Sequence, residues 1–294
     1  MKKFYFSMLV VFMISGPALA ADLLVTTDWL QKNLDNKNII LVDMSGEETQ
    51  YQRFHIPGAI YLNYGYLVKK RKKDKVSLRV SDQHFNKVLG YFGIKRDSHV
   101  VIYDDMAGLH AGRLYWQLQQ IGHEKVSVVD GGLVKWILEG RKVENKINER
   151  PSVVYQSAGK KYDNEINLQQ VKSLLKSGKT TFLDVRTKEE YAGHPKFKRT
   201  GHIPGAKFWP WDNSINYEKG FTLKPTNELV ASLKKLGVKN KSNSIVLYCR
   251  SGHRAAQSYL TLKNMGYENV RLYDGSMSEY AKDKQAPLKL GNRP

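Results

Sequence analysis

An internal repeat constrains the fold of this chain more than any other feature of its sequence. The pentapeptide HIPGA occurs at residues 55–59 and again at residues 202–206, an offset of 147. Further along, AGRLYWQLQQIGHEKVSVVDGG at residues 111–132 matches AAQSYLTLKNMGYENVRLYDGS at residues 255–276, an offset of 144. A chain that uses one pattern twice is expected to fold as two similar domains.

The sequence between the two halves marks a boundary. Residues 149–161 contain Pro151 and several polar residues, and they show no clear hydrophobic period. We therefore predict a first domain over residues 21–148, a linker over residues 149–161 and a second domain over residues 162–294.

Both halves have the same order of apolar runs. In each, a short run ends in an acidic residue, the HIPGA turn follows, and a second run precedes an amphipathic helix and a third run ending in Asp-Gly. Short apolar strands alternating with helices predict an α/β fold, here two tandem domains that each contain a mainly parallel sheet flanked by helices. Ligands of such sheets bind at the carboxyl ends of the strands. Cys249 directly follows the run SIVLY and is expected at that edge.

The first twenty residues have the pattern of a secretory signal. Lys2 and Lys3 precede an apolar run at residues 4–14, and Ala18-Leu19-Ala20 provides a small-x-small cleavage site. Eleven apolar residues are too few to span about 30 Å of hydrocarbon. We expect cleavage after Ala20, a periplasmic protein and no stable membrane insertion.

The charge balance favours anionic partners. The chain has 47 Lys and Arg against 28 Asp and Glu, a formal net charge of +19. The densest basic run is KKRKKDK at residues 69–75, without interleaved aromatic residues or a nucleic-acid motif. We interpret it as a solvated basic loop, and export argues against a nucleic-acid partner.

The chain contains a single cysteine, Cys249, which cannot form a disulfide within the chain. A lone cysteine in an exported protein is a candidate reactive thiol. Arg250, His253 and Arg254 add positive charge beside it, and a following helix would present its N-terminus, so the thiolate is favoured. Gly252 lets the backbone curl, so that its amides can face an anion on or next to the sulfur.

Two chemistries use such a loop. Cysteine phosphatases and arsenate-type enzymes have five residues between the cysteine and the arginine, whereas four separate Cys249 from Arg254. The shorter loop is better sized for a sulfur atom than for a tetrahedral phosphate. Sulfur transfer, in which the thiolate carries a donated sulfur as a persulfide, is therefore the favoured alternative.

Taken together, these motifs resemble those of the two-domain rhodanese family, the thiosulfate and 3-mercaptopyruvate sulfurtransferases. The resemblance rests on both HIPGA motifs, LVDMS and FLDVR, both Asp-Gly strand ends and the six-residue loop CRSGHR. It implies that only the second domain is catalytic, because the first half has Asp104 in place of the thiol and Ser45 in place of Arg186. It implies no metal and no cofactor.

The resemblance also implies roles for individual residues. Cys249 would carry the persulfide, and Arg186 would bind the anionic end of the donor. The remaining substrate-binding candidates come from the loop: Arg250, Ser251, Gly252, His253 and Arg254.

The sequence of the cysteine loop does not identify the sulfur donor or the sulfur acceptor. Thiosulfate-type members resemble CRKGVT and mercaptopyruvate-type members CGSGVT, and this loop shares Arg250 with the first and Ser251 with the second. Its extra charge favours a small dianion such as thiosulfate, with a thiol, including a protein thiol, or a cyanide-like molecule as acceptor. The alternatives are a 3-mercaptopyruvate sulfurtransferase and a persulfide carrier or redox partner that does not turn over.

Overall fold

The computed structural model describes residues 22–159 and 162–294, so the predicted signal at residues 1–20 lies outside the described residues. Within these two ranges, no helix is both long enough and apolar enough to cross a membrane.

The first domain is an α/β unit built on a five-stranded parallel sheet and a small antiparallel ribbon. Its strands are β1 (Leu24–Val25), β2 (Ile39–Asp43), β3 (Ile60–Tyr61), β4 (Val68–Lys70), β5 (Ser77–Arg79), β6 (His99–Tyr103) and β7 (Val126–Val129). Its α-helices are α1 (Thr27–Asn33), α2 (Glu48–Arg53), α3 (Asp82–Tyr91), α4 (Leu109–Gln120) and α5 (Gly132–Leu138). The sheet has the order β1-β7-β6-β2-β3, and β4 pairs with β5 in the ribbon.

The second domain repeats this plan. Its strands are β8 (Glu165–Ile166), β9 (Thr181–Asp184), β10 (Lys207–Phe208), β11 (Ile215–Asn216), β12 (Thr222–Leu223), β13 (Ile245–Tyr248) and β14 (Val270–Tyr273). Its α-helices are α6 (Leu168–Ser177), α7 (Lys188–Ala192), α8 (Thr226–Lys235), α9 (His253–Asn264) and α10 (Ser276–Tyr280). Short 3-10 helices occur at Tyr64–Leu67, Trp211–Ser214 and Tyr217–Lys219. The parallel sheet has the order β8-β14-β13-β9-β10, which matches the first domain strand for strand and confirms the predicted tandem α/β fold.

The HIPGA motif has a structural role in both domains. His55 is buried, stacks on Tyr51 and donates from Nδ1 to the carbonyl oxygen of that tyrosine at 2.7 Å. His202 repeats both contacts with Tyr191, where the hydrogen bond is 2.8 Å. The glycine of each motif has a φ of 81°, which a side chain would disfavour. The repeated pentapeptide is therefore a buried corner of the fold.

The two domains meet through equivalent helices. α4 of the first domain packs on α9 of the second, and a Cβ atom on Gly112 would lie only 2.9 Å from the carbonyl oxygen of Ala256. Across the same interface, the fully buried Arg113 donates from Nη1 to Asp274 Oδ1 at 2.6 Å. The helix that follows the cysteine loop therefore rests directly on the first domain.

Candidate active site

Cys249 lies at the carboxyl end of β13, the edge at which the sequence placed it. The residue is 1% exposed and packs in the main hydrophobic cluster. Its carbonyl oxygen accepts a hydrogen bond from Met277 N at 3.0 Å. The thiol is therefore held in a fixed, nearly closed position rather than on a mobile surface loop.

Gly252 turns the chain from the cysteine into α9. It caps the helix with a φ of 79°, and a Cβ atom there would lie 2.6 Å from Asp274 Oδ1 and 2.9 Å from Arg113 Nη1. Only glycine fits this position without a shift of that buried ion pair. The turn directs the first amides of α9, which lack intrahelical acceptors, toward the loop interior.

The equivalent loop of the first domain shows what this backbone geometry binds. Asp104 occupies the position of Cys249, and its carboxylate accepts four backbone hydrogen bonds of 2.9 to 3.0 Å. The donors are the N–H groups of Met106, Gly108, His110 and Ala111. A loop of this design therefore gathers amides around an anionic side chain. In the second domain the sulfur of Cys249 takes the place of that carboxylate.

Ser276 supports the cysteine loop, and the sequence analysis did not single it out. Its Oγ accepts hydrogen bonds from the N–H groups of Cys249, at 3.2 Å, and Gly252, at 3.1 Å, and donates to the carbonyl oxygen of Tyr273 at 2.8 Å. Ser276 adopts a φ of 47°, where the first domain has Gly132 at 51°. The equivalent position of the first domain is a glycine, so the serine at position 276 was the signal in the sequence that could have identified this residue.

We expect Ser276→Ala to lower the second-order rate constant for sulfur loading of Cys249 by about tenfold or more, because two buried N–H groups lose their acceptor. The free energy of unfolding should fall by about 1–3 kcal/mol. Ser276→Gly lacks the hydroxyl but relieves the positive φ, so it should lose the same activity with a smaller loss of stability. Urea unfolding and rapid-mixing kinetics separate the two effects, and a Ser276→Ala protein with unchanged kinetics would contradict this role.

Arg186 lies on the neighbouring strand end, where it holds Asp184. Its Nε and Nη2 donate to the two carboxylate oxygens at 2.9 and 2.6 Å, and Nη2 also donates to the carbonyl oxygen of Gly201 at 2.9 Å. Nη1 has no partner among the described residues, and Arg186 lines a cavity of about 730 Å³. One face of the guanidinium thus stays free to bind an anion.

The cavity also contacts Arg250, which is exposed and follows Cys249 directly. Other basic residues on its wall are Lys75 of the first domain and Lys198, Arg199 and Lys282 of the second. Ser251 is half-buried in the loop between Arg250 and Gly252. Glu189 and Glu190 also line the cavity, so the basic residues outnumber the acidic ones and the wall is positive overall.

Arg254 pairs with Glu190 through two hydrogen bonds of 2.6 and 3.0 Å. Burial tends to lower the pKa of Arg254, but the Glu190 carboxylate and a thiolate on Cys249 raise it above its ordinary value. The guanidinium therefore stays charged beside the sulfur, and Glu190 fixes its orientation.

His253 does not carry the positive charge that the sequence analysis assigned to it. Burial, with His110, Arg113 and Arg254 nearby, lowers its pKa to about 3, so the imidazole is neutral at neutral pH. The ring stacks on His110, with a centroid distance of 4.8 Å, and contacts Tyr64 at 4.7 Å. His253 thus contributes to the contact between the domains.

Two tryptophans that follow β10 pack away from the cavity beside Arg186. Trp209 is 1% exposed in the hydrophobic cluster and donates from Nε1 to Ser232 Oγ of α8 at 3.1 Å. Trp211 packs against the same cluster, and neither residue lines the cavity beside Arg186. Within residues 22–159 and 162–294, no group of three His, Cys, Asp or Glu side chains is arranged to hold a metal ion.

Comparisons with known proteins agree with this geometry. Residues 26–139 and 167–283 each match the family model for the rhodanese-like domain. A relative from Mycobacterium leprae that carries the name thiosulfate sulfurtransferase is 33% identical, over 92% of this chain and 99% of its own length. The sulfur carrier protein TtuD of Thermus thermophilus is 31% identical, over 92% and 97%. The crystal structure of SseA from Escherichia coli, a 3-mercaptopyruvate sulfurtransferase, superposes with a TM-score of 0.76 and 27% identity, covering 87% of this chain and 99% of SseA.

Proposed function

This chain belongs to the rhodanese family of sulfurtransferases, and we propose that it moves sulfane sulfur from a small anionic donor, first of all thiosulfate, through a persulfide on Cys249 to a thiophilic acceptor. The observation that carries the proposal is the position of the single thiol. It occupies the place of Asp104, whose carboxylate collects four backbone N–H groups.

In the loading step, the Cys249 thiolate attacks the outer sulfur of thiosulfate. A bond forms between the two sulfur atoms, the sulfur–sulfur bond of the donor breaks, and its electron pair leaves with sulfite. Arg186 and Arg250, which line the same cavity, would neutralise the donor and the departing sulfite. The first-turn amides of α9 stabilise the persulfide anion.

In the unloading step, an acceptor thiol loses its proton to solvent and attacks the outer sulfur of the persulfide. The bond to Cys249 breaks, and its electron pair restores the thiolate. The Arg254 guanidinium, oriented by Glu190, favours this charged product. The cycle therefore needs neither a metal nor an external oxidant.

The positive cavity wall supports thiosulfate as the donor, since a dianion gains more from it than the single carboxylate of mercaptopyruvate. The names of the relatives favour the same donor, whereas SseA acts on mercaptopyruvate. Incubation of the purified protein with each donor tests the choice. Thiosulfate should add the mass of one sulfur atom at Cys249 and release one equivalent of sulfite, at least tenfold faster than mercaptopyruvate releases pyruvate. An adduct with neither donor would refute the proposal.

A persulfide carrier without turnover is the second candidate, and the similarity to the sulfur carrier protein TtuD favours it. The enclosure of Cys249, at 1% exposure, also suits a carrier that shields its sulfur from solvent. A carrier should accept one equivalent of sulfur and release it only once to each small thiol tested, whereas an enzyme should turn over repeatedly.

Export to the periplasm is also part of the proposal, and it rests on the pattern of residues 1–20 alone. Amino-terminal sequencing of protein recovered from the periplasm of an expression host should begin at Ala21. Protein that retains Met1 in the cytoplasm would contradict export.

A further inference from the structure

The basic run of the first domain forms a ribbon rather than the loop expected from its sequence. β4 and β5 pair antiparallel, and we call residues 68–79 the basic ribbon. Its five lysines are all exposed: Lys69, Lys70, Lys72, Lys73 and Lys75.

The basic ribbon is fixed across the domain interface. Arg71 Nη1 contacts Glu279 Oε1 of the second domain at 2.7 Å, and Arg79 Nε contacts Glu165 Oε2 at 2.9 Å. The backbone N–H of Arg79 also donates to Asp274 Oδ2 at 2.6 Å. The ribbon therefore presents its lysines from a rigid platform attached to the catalytic domain.

Within residues 22–159 and 162–294, no acidic side chain forms an ion pair with the ribbon lysines. The one acid of the ribbon, Asp74, is held by Arg71 through hydrogen bonds of 2.9 and 2.6 Å. The Arg71 guanidinium lowers the pKa of Asp74 to about 2, so this carboxylate is already paired. Among the residues that the structure describes, none of the five lysines has an ion-pair partner. Their charge is thus available to a molecule from solution.

The ribbon borders the cavity that Arg250, the residue after Cys249, lines. Lys75 lines the same cavity as Arg186 and Arg250, and the exposed Lys198 and Lys282 line it from the second domain. Lys282 Nζ also donates to the carbonyl oxygen of Asp74. The other four ribbon lysines do not line the cavity. Charge that extends past the cavity fits a partner larger than thiosulfate.

We propose that the basic ribbon and the cavity entrance form the docking surface for an acidic protein that presents the acceptor thiol. This inference rests on the proposed sulfur transfer and names its partner. The lysines would attract acidic residues around that thiol, and their positive charge would offset the rise in the thiol pKa that those acidic residues cause. Phe197, 66% exposed on the cavity wall, offers the aromatic contact that protein interfaces favour. A membrane surface has matching charge but supplies no thiol.

Two synthetic peptides of equal length test this surface. Each contains one cysteine, flanked by glutamates in one peptide and by glutamines in the other. The protein is loaded with thiosulfate, freed of excess donor and mixed with each peptide, and the sulfur gained by the peptide is followed by mass spectrometry. At low ionic strength the glutamate peptide should react at least about tenfold faster, and the advantage should disappear near 0.5 M salt, where the Debye length is only about 4 Å.

The ribbon is tested by a variant in which four exposed lysines become glutamine: Lys69, Lys70, Lys72 and Lys73. It should lose most of the preference for the glutamate peptide while its loading by thiosulfate is unchanged. A matched control replaces four other exposed lysines: Lys234 and Lys235 in the last turn of α8, and Lys239 and Lys241 between α8 and the amino end of β13. The control should keep the preference.

The outcomes separate this inference from the proposed function. Failure of wild-type protein to gain sulfur from any donor would refute the proposed function itself. Normal loading with equal rates for both peptides, or a preference that survives in the ribbon variant, would overturn the docking surface alone. Sedimentation with phosphatidylglycerol vesicles that depends on the ribbon, without any peptide preference, would assign the surface to a membrane and likewise overturn this inference.

Discussion

Cys249→Ala is expected to abolish sulfur transfer, because no other thiol in the chain can carry the sulfur. The rate with thiosulfate should fall by at least about 10³-fold, which corresponds to roughly 4 kcal/mol of transition-state stabilisation. The mass increase after incubation with the donor should disappear as well. Steady-state kinetics and intact-protein mass spectrometry check both results, and a variant that retains wild-type turnover would refute the persulfide mechanism.

The fold should survive this substitution. Cys249 packs as a small apolar residue, so alanine removes one buried atom, at a cost of about 1 kcal/mol. Ser258→Ala in α9 is a matched control, since it also removes one buried side-chain atom and Ser258 Oγ has no hydrogen-bond partner in the described structure. The control should keep full activity, whereas loss of activity in both variants would indicate damage to α9 rather than loss of the thiol.

The sequence predicted the parts of the fold that local patterns determine. The apolar runs IILVD and IVLY became β2 and β13, and the repeated glycines near the ends of α4 and α9 adopt positive φ values. Because the carboxyl ends of parallel strands share one edge of a sheet, the sequence pattern placed Cys249 at that edge, whereas the position of Arg186 on the neighbouring strand followed from the resemblance to the rhodanese family.

Contacts between residues that are far apart in the chain could not be predicted from the sequence. Ser276 lies 27 positions from Cys249, whose backbone N–H donates a hydrogen bond to Ser276 Oγ. Arg113 of the first domain donates a hydrogen bond to Asp274 of the second. The charge of His253 was misjudged for the same reason: its low pKa results from burial against His110, which no local pattern reveals.

The position of Asp184 also changes the interpretation of Arg186. Both residues are buried, so the arginine compensates a carboxylate as well as facing the cavity. At the equivalent site of the first domain, Ser45 occupies the position of Arg186, so the Asp43 carboxylate is not paired with an arginine. There burial raises the pKa of Asp43 to about 6, against hydrogen bonds from Ser45 and Tyr103 that lower it.

Arg186→Ala should therefore have two effects, one on donor binding and one on stability. Loss of Nη1 removes the cationic contact at the cavity, and we expect KM for thiosulfate to rise by about tenfold or more. Loss of Nε and Nη2 leaves Asp184 buried without its partner, which should lower the free energy of unfolding at pH 7 by about 3–5 kcal/mol. Steady-state kinetics and urea unfolding measure the two effects, and an unchanged KM would argue against donor binding by Arg186.

The pH dependence identifies the origin of the stability loss. In this variant Asp184 would be buried without a cation, as Asp43 is in the first domain, where burial raises the pKa of Asp43 from 3.8 to about 6. The folded state then binds the proton more tightly, so the free energy of unfolding of Arg186→Ala should fall as pH rises from about 4 to about 6 and level off above. The double variant Asp184→Asn/Arg186→Ala should regain most of the stability and lose this pH dependence, while its KM for thiosulfate stays high. A double variant that recovers wild-type KM would show that Arg186 acts only through Asp184 and never touches the donor.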